Sequence, residues 1–191
     1  MGIDLARLRA GPRTTTARPT VLFLGRLVPV KGATIAVAAA RLWRSGARLV
    51  VAGAGPDESA VRAVAAAAPA GQIELVGEVH GAARDRLLAA AHLVAVPSIH
   101  TAGGRSEGMP MAALEAMAAG AAVVASRVGG LAELPVVTHV APGDPAALAA
   151  AIDHLLESPR ALADQVARQA RFVASYDWSR VGPRLDPSCS G

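Results

Sequence analysis

Two carboxylates eight positions apart, Glu107 and Glu115, lie in the segment Glu107-Gly-Met-Pro-Met-Ala-Ala-Leu-Glu115-Ala-Met-Ala-Ala-Gly120. The first stands at the mouth of a predicted helix and the second inside it. Glu115 is the only charged residue between Gly108 and Ser126. A carboxylate in so apolar a stretch is costly to bury unless hydrogen-bond donors meet it. The amides of Gly108, Met109 and Met111 form the positive end of that helix, suited to a phosphate or a sugar hydroxyl. Pro110 fits the first turn, where its missing N–H is not needed. Glu115, further along, can accept from a diol such as a ribose. The bland alternatives are a solvated helix position for Glu115 and a helix-start charge for Glu107.

A second constellation, Gly25-Arg26-Leu-Val-Pro-Val-Lys31-Gly32, follows the first apolar run. Gly25 permits a tight turn, and a helix is expected to begin near Gly32. Arg26 offers a planar fork and Lys31 a point charge to a diphosphate. Lys31 is the only lysine beside eighteen arginines, so it marks a place where the two are not interchangeable. Two solvated loop cations are the competing reading. Gly53-Ala-Gly55-Pro56 begins a dinucleotide fingerprint but has Glu58 where the third glycine belongs, so it reads as a structural turn. Gly103 and Gly104 allow close backbone approach to a ligand. The five histidines show no metal-ligand spacing. His80, at a strand end, reads as a surface loop residue, with the border of a base pocket as the alternative.

These residues need a scaffold, and the hydropathy pattern describes one. Short apolar runs at Val21–Leu24, Leu49–Ala52, Ile73–Val76, Leu93–Val96, Ala122–Ala125 and Val136–Val140 read as six buried strands. Helical patterns lie between them, from Ala33 to Ser45, from Asp57, through Arg84 to Ala91 and in the Glu115 segment. Two more close the chain, Asp144 to Leu156 and Ala161 to Ser175. Such alternation predicts an α/β fold, a Rossmann-like doubly wound parallel sheet, with ligands at the carboxyl ends of the strands. Every candidate above falls there.

Composition narrows the class. The chain has 191 residues, a net charge of +4 and five aromatic residues. Its arginines are scattered, without interleaved aromatics, which argues against nucleic-acid binding. The single Cys189 excludes an internal disulfide. The amino terminus has no signal-peptide core, and no run approaches the ~20 apolar residues of a membrane span. A cytoplasmic protein is expected. Residues 1–19 read as a polar lead-in, 20–178 as the domain, and 179–191 as a tail with no ordered element.

The assembled motifs resemble the nucleotide-sugar-binding half of retaining GT-B glycosyltransferases of family 4. The likeness runs from Val21 to Trp178. It rests on the Glu107-x7-Glu115 segment, the following Ala-Val-Val-Ala-Ser-Arg-Val-Gly-Gly, Gly25 to Gly32, Ala-Pro-Gly-Asp-Pro at 141–145, and Tyr-Asp-Trp-Ser at 176–179. The resemblance implies the C-terminal half of a GT-B fold and an enzyme that transfers a sugar from a UDP-, GDP- or ADP-sugar. It implies that Arg26 and Lys31 bind the donor diphosphate and assist its departure, with Glu107 at the donor sugar. The amides from Gly108 to Met111 would lie near sugar and phosphate, Glu115 at the ribose, and Val76, Gly77 and Glu78 beside the base. No metal or further cofactor is required for that chemistry.

Gly2-Ile-Asp resembles the family's interdomain junction. The expected partner is therefore an N-terminal acceptor domain or a separate subunit, and any membrane contact would be peripheral and made by that absent half. Alone, the domain is expected to bind donor and transfer little or nothing. A non-catalytic nucleotide-sugar-binding module and a sugar-nucleotide epimerase are the alternatives. The chain departs from the family at His92, where Asp is usual before the fourth strand, and in a shortened segment from Glu133 to His139.

Overall fold

The computed structural model describes residues 3–9, 18–100 and 111–177. Six strands, β1 (Thr20–Leu24), β2 (Arg48–Ala52), β3 (Ile73–Gly77), β4 (Leu93–Val96), β5 (Ala122–Ser126) and β6 (Thr138–Val140), form one sheet in the order β3-β2-β1-β4-β5-β6. Every pairing is parallel. Helices α1 (Leu5–Arg9), α2 (Ala33–Ala40), α3 (Glu58–Ala65), α4 (Gly81–Ala90), α5 (Met111–Ala118), α6 (Pro145–Glu157) and α7 (Pro159–Val173) complete the described architecture. The expected six-stranded doubly wound fold is the observed one. The strand order reverses between β1 and β4, which opens a crevice beyond their carboxyl ends.

Strand alternation feeds two cores. Leu22, Val50, Val94 and Val123 point to the face covered by α1, α4 and α5, while Val21, Leu49, Leu93 and Val124 point to the face covered by α2, α3 and α6. The central strands β4 and β5 are buried along their whole length, whereas edge strands β3 and β6 are only partly so. Each fully buried Leu or Val stabilises the fold by about 1.5–3 kcal/mol. Alanines do the remaining work: Ala33, Ala36, Ala39 and Ala40 of α2 are buried and let the helix lie close to the sheet.

Two helix boundaries and the lead-in differ from the sequence reading for identifiable reasons. The helix expected to reach Ser45 ends at Ala40. The carboxylate of Asp153, buried on α6, accepts from the amides of Arg44 (2.9 Å) and Ser45 (3.0 Å), drawing the chain out of helical geometry. Helix α7 starts at Pro159 rather than Ala161, because Ser158 caps it through the amide of Ala161 and proline suits its first turn. The lead-in is less polar in place than in composition. Ile3, Leu5 and Leu8 are buried in the core, and Ile3 bridges to Asp177. Arg18 donates to the carbonyls of Gly46 (2.6 Å) and Gly71 (2.8 Å), tying together the turns that precede β2 and β3. Trp178 and the tail 179–191 lie outside the described residues.

His92 also has a structural place. Its Nδ1 accepts from the N–H of Thr20 at 3.1 Å, at the start of β1. An aspartate oxygen can do the same, which accounts for the exchange. Among the described residues no helix is long and apolar enough to cross a membrane.

Two stability effects are expected from urea unfolding. His92→Leu deprives the buried Thr20 amide of its acceptor and should cost about 1–3 kcal/mol, whereas His92→Asp should cost much less. Asp153→Ala orphans two amides and should cost about 2–4 kcal/mol; an unchanged midpoint would show that those amides find other partners.

Candidate functional site

The crevice is built by backbone packing. Beyond β1, the N–H of Gly25 donates to Ala52 (3.0 Å) and that of Leu27 to Ala54 (2.9 Å), so the post-β1 segment continues alongside the post-β2 turn. The amide of Gly53 donates in turn to Gly77, the last residue of β3, at 2.7 Å. Side chains at 53 and 55 would overlap the carbonyl oxygens of Gly25 and Leu27. The Gly53-Ala-Gly55 turn is thus a close-packing device, in agreement with its structural reading.

Lys31 is positioned by a short 3-10 helix, Pro29–Lys31, absent from the sequence reading. Gly32 closes it in the left-handed region, φ 67°, and its carbonyl accepts the first amides of α2, from Ile35 and Ala36. A side chain at 32 would strike the carbonyl of Pro97, and the amide of Ile99 donates to Val30 at 2.9 Å. The loop after β4 therefore fixes the loop carrying Lys31, and only a glycine fits between them.

These loops enclose a cavity of about 490 Å³. After β1 it is lined by Gly25, Arg26 and Lys31, after β2 by Gly53 and Ala54, and after β3 by Glu78, Val79 and His80. Arg84 of α4 and Met111 and Ala112 of α5 close the wall. Among the described residues, three cations thus face a space whose one lining carboxylate is Glu78. His80 Nε2 lies 3.5 Å from Glu78 Oε1, but both side chains are mostly exposed and the contact is weak. The amino end of α5 meets the cavity, and its dipole adds to the positive field. The arrangement suits a polyanion held at one end by Arg26 and Lys31.

The structure brings together Gly25, Arg26, Lys31, Glu78 and Met111 of the predicted site. Gly77 lies beyond, on a small neighbouring pocket, and Val76 packs against the core. Glu107, Gly108, Met109 and Pro110 lie outside the described residues, as do Gly103 and Gly104.

Glu115 is 8% exposed, which removes the solvated reading for it. Its carboxylate is held by Arg84 through two bonds, Nη1 to Oε1 at 2.8 Å and Nη2 to Oε2. The hydrogen bond to Glu115 raises the Arg84 guanidinium above its ordinary value, against the opposing effect of burial, and the charges of Glu115 and Asp85 add to it. Arg84 was missed in the sequence because it lies 31 positions away on another helix. The only available signal was Glu115 itself, a buried carboxylate in need of a donor. Among the described residues no cluster of His, Cys, Asp and Glu is arranged to hold a metal.

Known proteins share this architecture. The family model for glycosyl transferases group 1 matches residues 18–158. D-inositol 3-phosphate glycosyltransferases of Mycobacterium bovis and Mycobacterium tuberculosis are 35% identical over 96% of the chain. The chain spans 41% of the length of those relatives. Among solved structures, Anabaena HepE in complex with UDP-glucose superposes with a TM-score of 0.84 at 21% identity, covering 96% of this chain and 54% of that one. The C-terminal domain of LpcC, a group 1 glycosyl transferase from Francisella tularensis, gives 0.74 at 21% identity, covering 91% and 97%. The fold is the Rossmann-like one seen in GT-B glycosyltransferases. By its sequence motifs and by that family match over most of its length, the chain belongs to the glycosyl transferases group 1 family.

Proposed function

We propose that this chain is the donor-binding domain of a retaining, family 4 type glycosyltransferase, taking a nucleotide-diphosphate sugar. The observation that carries the reading is the placement of Arg26 and Lys31 on one wall of a cavity at the sheet's switch point, with Arg84, itself paired to Glu115, at another. Arg26 supplies parallel donors and Lys31 a compact charge, and both fit a diphosphate. As the glycosidic bond breaks, negative charge grows on the leaving diphosphate. Two preorganised cations stabilise that charge without a metal ion. Glu107 is assigned to the donor sugar, the amides of Gly108 to Met111 to sugar and phosphate, Glu115 to the ribose, and Val76, Gly77 and Glu78 to the edge of the base.

Residues 20–178 are taken as the donor domain and 1–19 as its junction with an N-terminal acceptor domain or subunit, acting in the cytoplasm. The Anabaena relative was solved with UDP and with UDP-glucose, which puts UDP-sugars first among the UDP-, GDP- and ADP-sugar candidates. The acceptor would bind opposite the cavity, so transfer by this domain alone should be slight.

Calorimetric titration with UDP, GDP and ADP tests the reading. One of the three should bind, and Lys31→Ala and Arg26→Ala should each weaken it about tenfold or more, as for loss of a charge-assisted contact. The fall should be smaller at high salt, where exposed charges are screened. Failure of all three nucleotides to bind the unmodified chain would refute the donor-site assignment.

A further inference from the structure

Arg84 lines the cavity, and Glu115 does not. Glu115 is 8% exposed, and the member of the pair that lines the cavity is Arg84. Both carboxylate oxygens are engaged from one side, Oε1 by Nη1 and Oε2 by Nη2. A cis-diol that chelates a carboxylate does so in the same way, one hydroxyl to each oxygen, from one side. The fork and the diol therefore compete for the same pair of lone pairs.

Displacement has an uneven cost. A diol that takes Glu115 leaves Arg84 a charged, half-buried group without its partner, which is strongly unfavourable unless another anion is supplied. Arg84 faces the same cavity as Arg26 and Lys31. A ligand carrying both a cis-diol and a diphosphate supplies acceptors for the released guanidinium in that cavity. A diol alone leaves the guanidinium unmatched, and a diphosphate alone leaves the pair closed.

Resting on the donor-site reading above, we propose that Arg84 is a specificity-determining residue that makes recognition of the ribose diol at Glu115 conditional on the diphosphate. Glu115 is then a guarded acceptor, opened only by a ligand that satisfies both halves of the pair. The exchange is non-covalent, and every hydrogen bond broken is replaced by one to the ligand.

The test compares UDP, GDP and ADP with their 2′-deoxy counterparts and with the free nucleosides, by calorimetry at pH 8. The proteins are the full chain, Arg84→Leu, Arg84→Gln and Arg84→Leu/Glu115→Ala. With the guard removed, the preference for ribo- over deoxyribonucleotide should rise about tenfold, the effect of about one hydrogen bond to a charged group. Free nucleoside should gain affinity in the same variants, and the double variant should lose the preference. If Arg84→Leu fails to fold, Arg84→Gln decides, since it retains a donor but cannot form the fork.

An unchanged ribose preference in folded variants would overturn the proposal and leave Arg84 a structural partner of Glu115. A reduced preference would overturn it too, because Arg84 would then be orienting Glu115 for the diol. In both cases the donor reading would survive, since nucleotide still binds. Absence of nucleotide binding to the full chain and to every variant would sink both.

Discussion

The carbonyl oxygens of Gly25 and Leu27 lie so close to the α-carbons of Gly53 and Gly55 that no side chain fits between them, and Gly32 stands in the same relation to Pro97. These backbone contacts extend the pairing of β1, β2 and β4 past the ends of the strands. Everything at the candidate site depends on them, because they set the distance between the loop bearing Arg26 and Lys31 and the opposite wall of the cavity. A larger residue at any of the three glycines would move whole loops, since a carbonyl in a hydrogen-bonded segment cannot turn aside as a side chain can. The parallel sheet supplies the frame for this packing, and its reversal of order between β1 and β4 supplies the space.

The charges are arranged around that space in two different ways. Arg26 and Lys31 come from one short segment and face the cavity. Arg84 and Glu115 come from two helices and face each other first. A buried bidentate pair is weak evidence for stability by itself, because the cost of desolvating two ions offsets most of their attraction. The place of its Arg84 on the wall of the cavity is what gives it functional weight. Helix α4 is anchored in the core by Leu88, apart from the ion pair.

Legibility from sequence followed the range of the interaction. The six strands were readable because each is a short apolar run with its own turn signals, and burial on both faces requires that pattern. Glycines 53 and 55 were readable as a turn, since the incomplete fingerprint left little else. The 3-10 helix at Pro29–Lys31 escaped, being three residues long with no periodicity to show. The end of α2 at Ala40 escaped as well, because its cause is the carboxylate of Asp153, 109 positions away from Arg44. The start of α7 was available in Ser158-Pro159, a capping signal that helical periodicity alone does not count.

The sequence by itself determined the fold class, the family and the residue types at the site, because local hydropathy, glycine placement and ordered motifs carry them. Glu115 was already marked as a carboxylate that needs a donor. Only the tertiary structure decided that the donor is Arg84, that Arg84 lines the cavity while Glu115 lies behind it, and that Arg26 and Lys31 share the same space. The physical reason is that desolvation is felt locally along the chain, as a charge among apolar neighbours. The group that compensates it is chosen by how the helices pack, and packing brings together residues that no spacing rule connects.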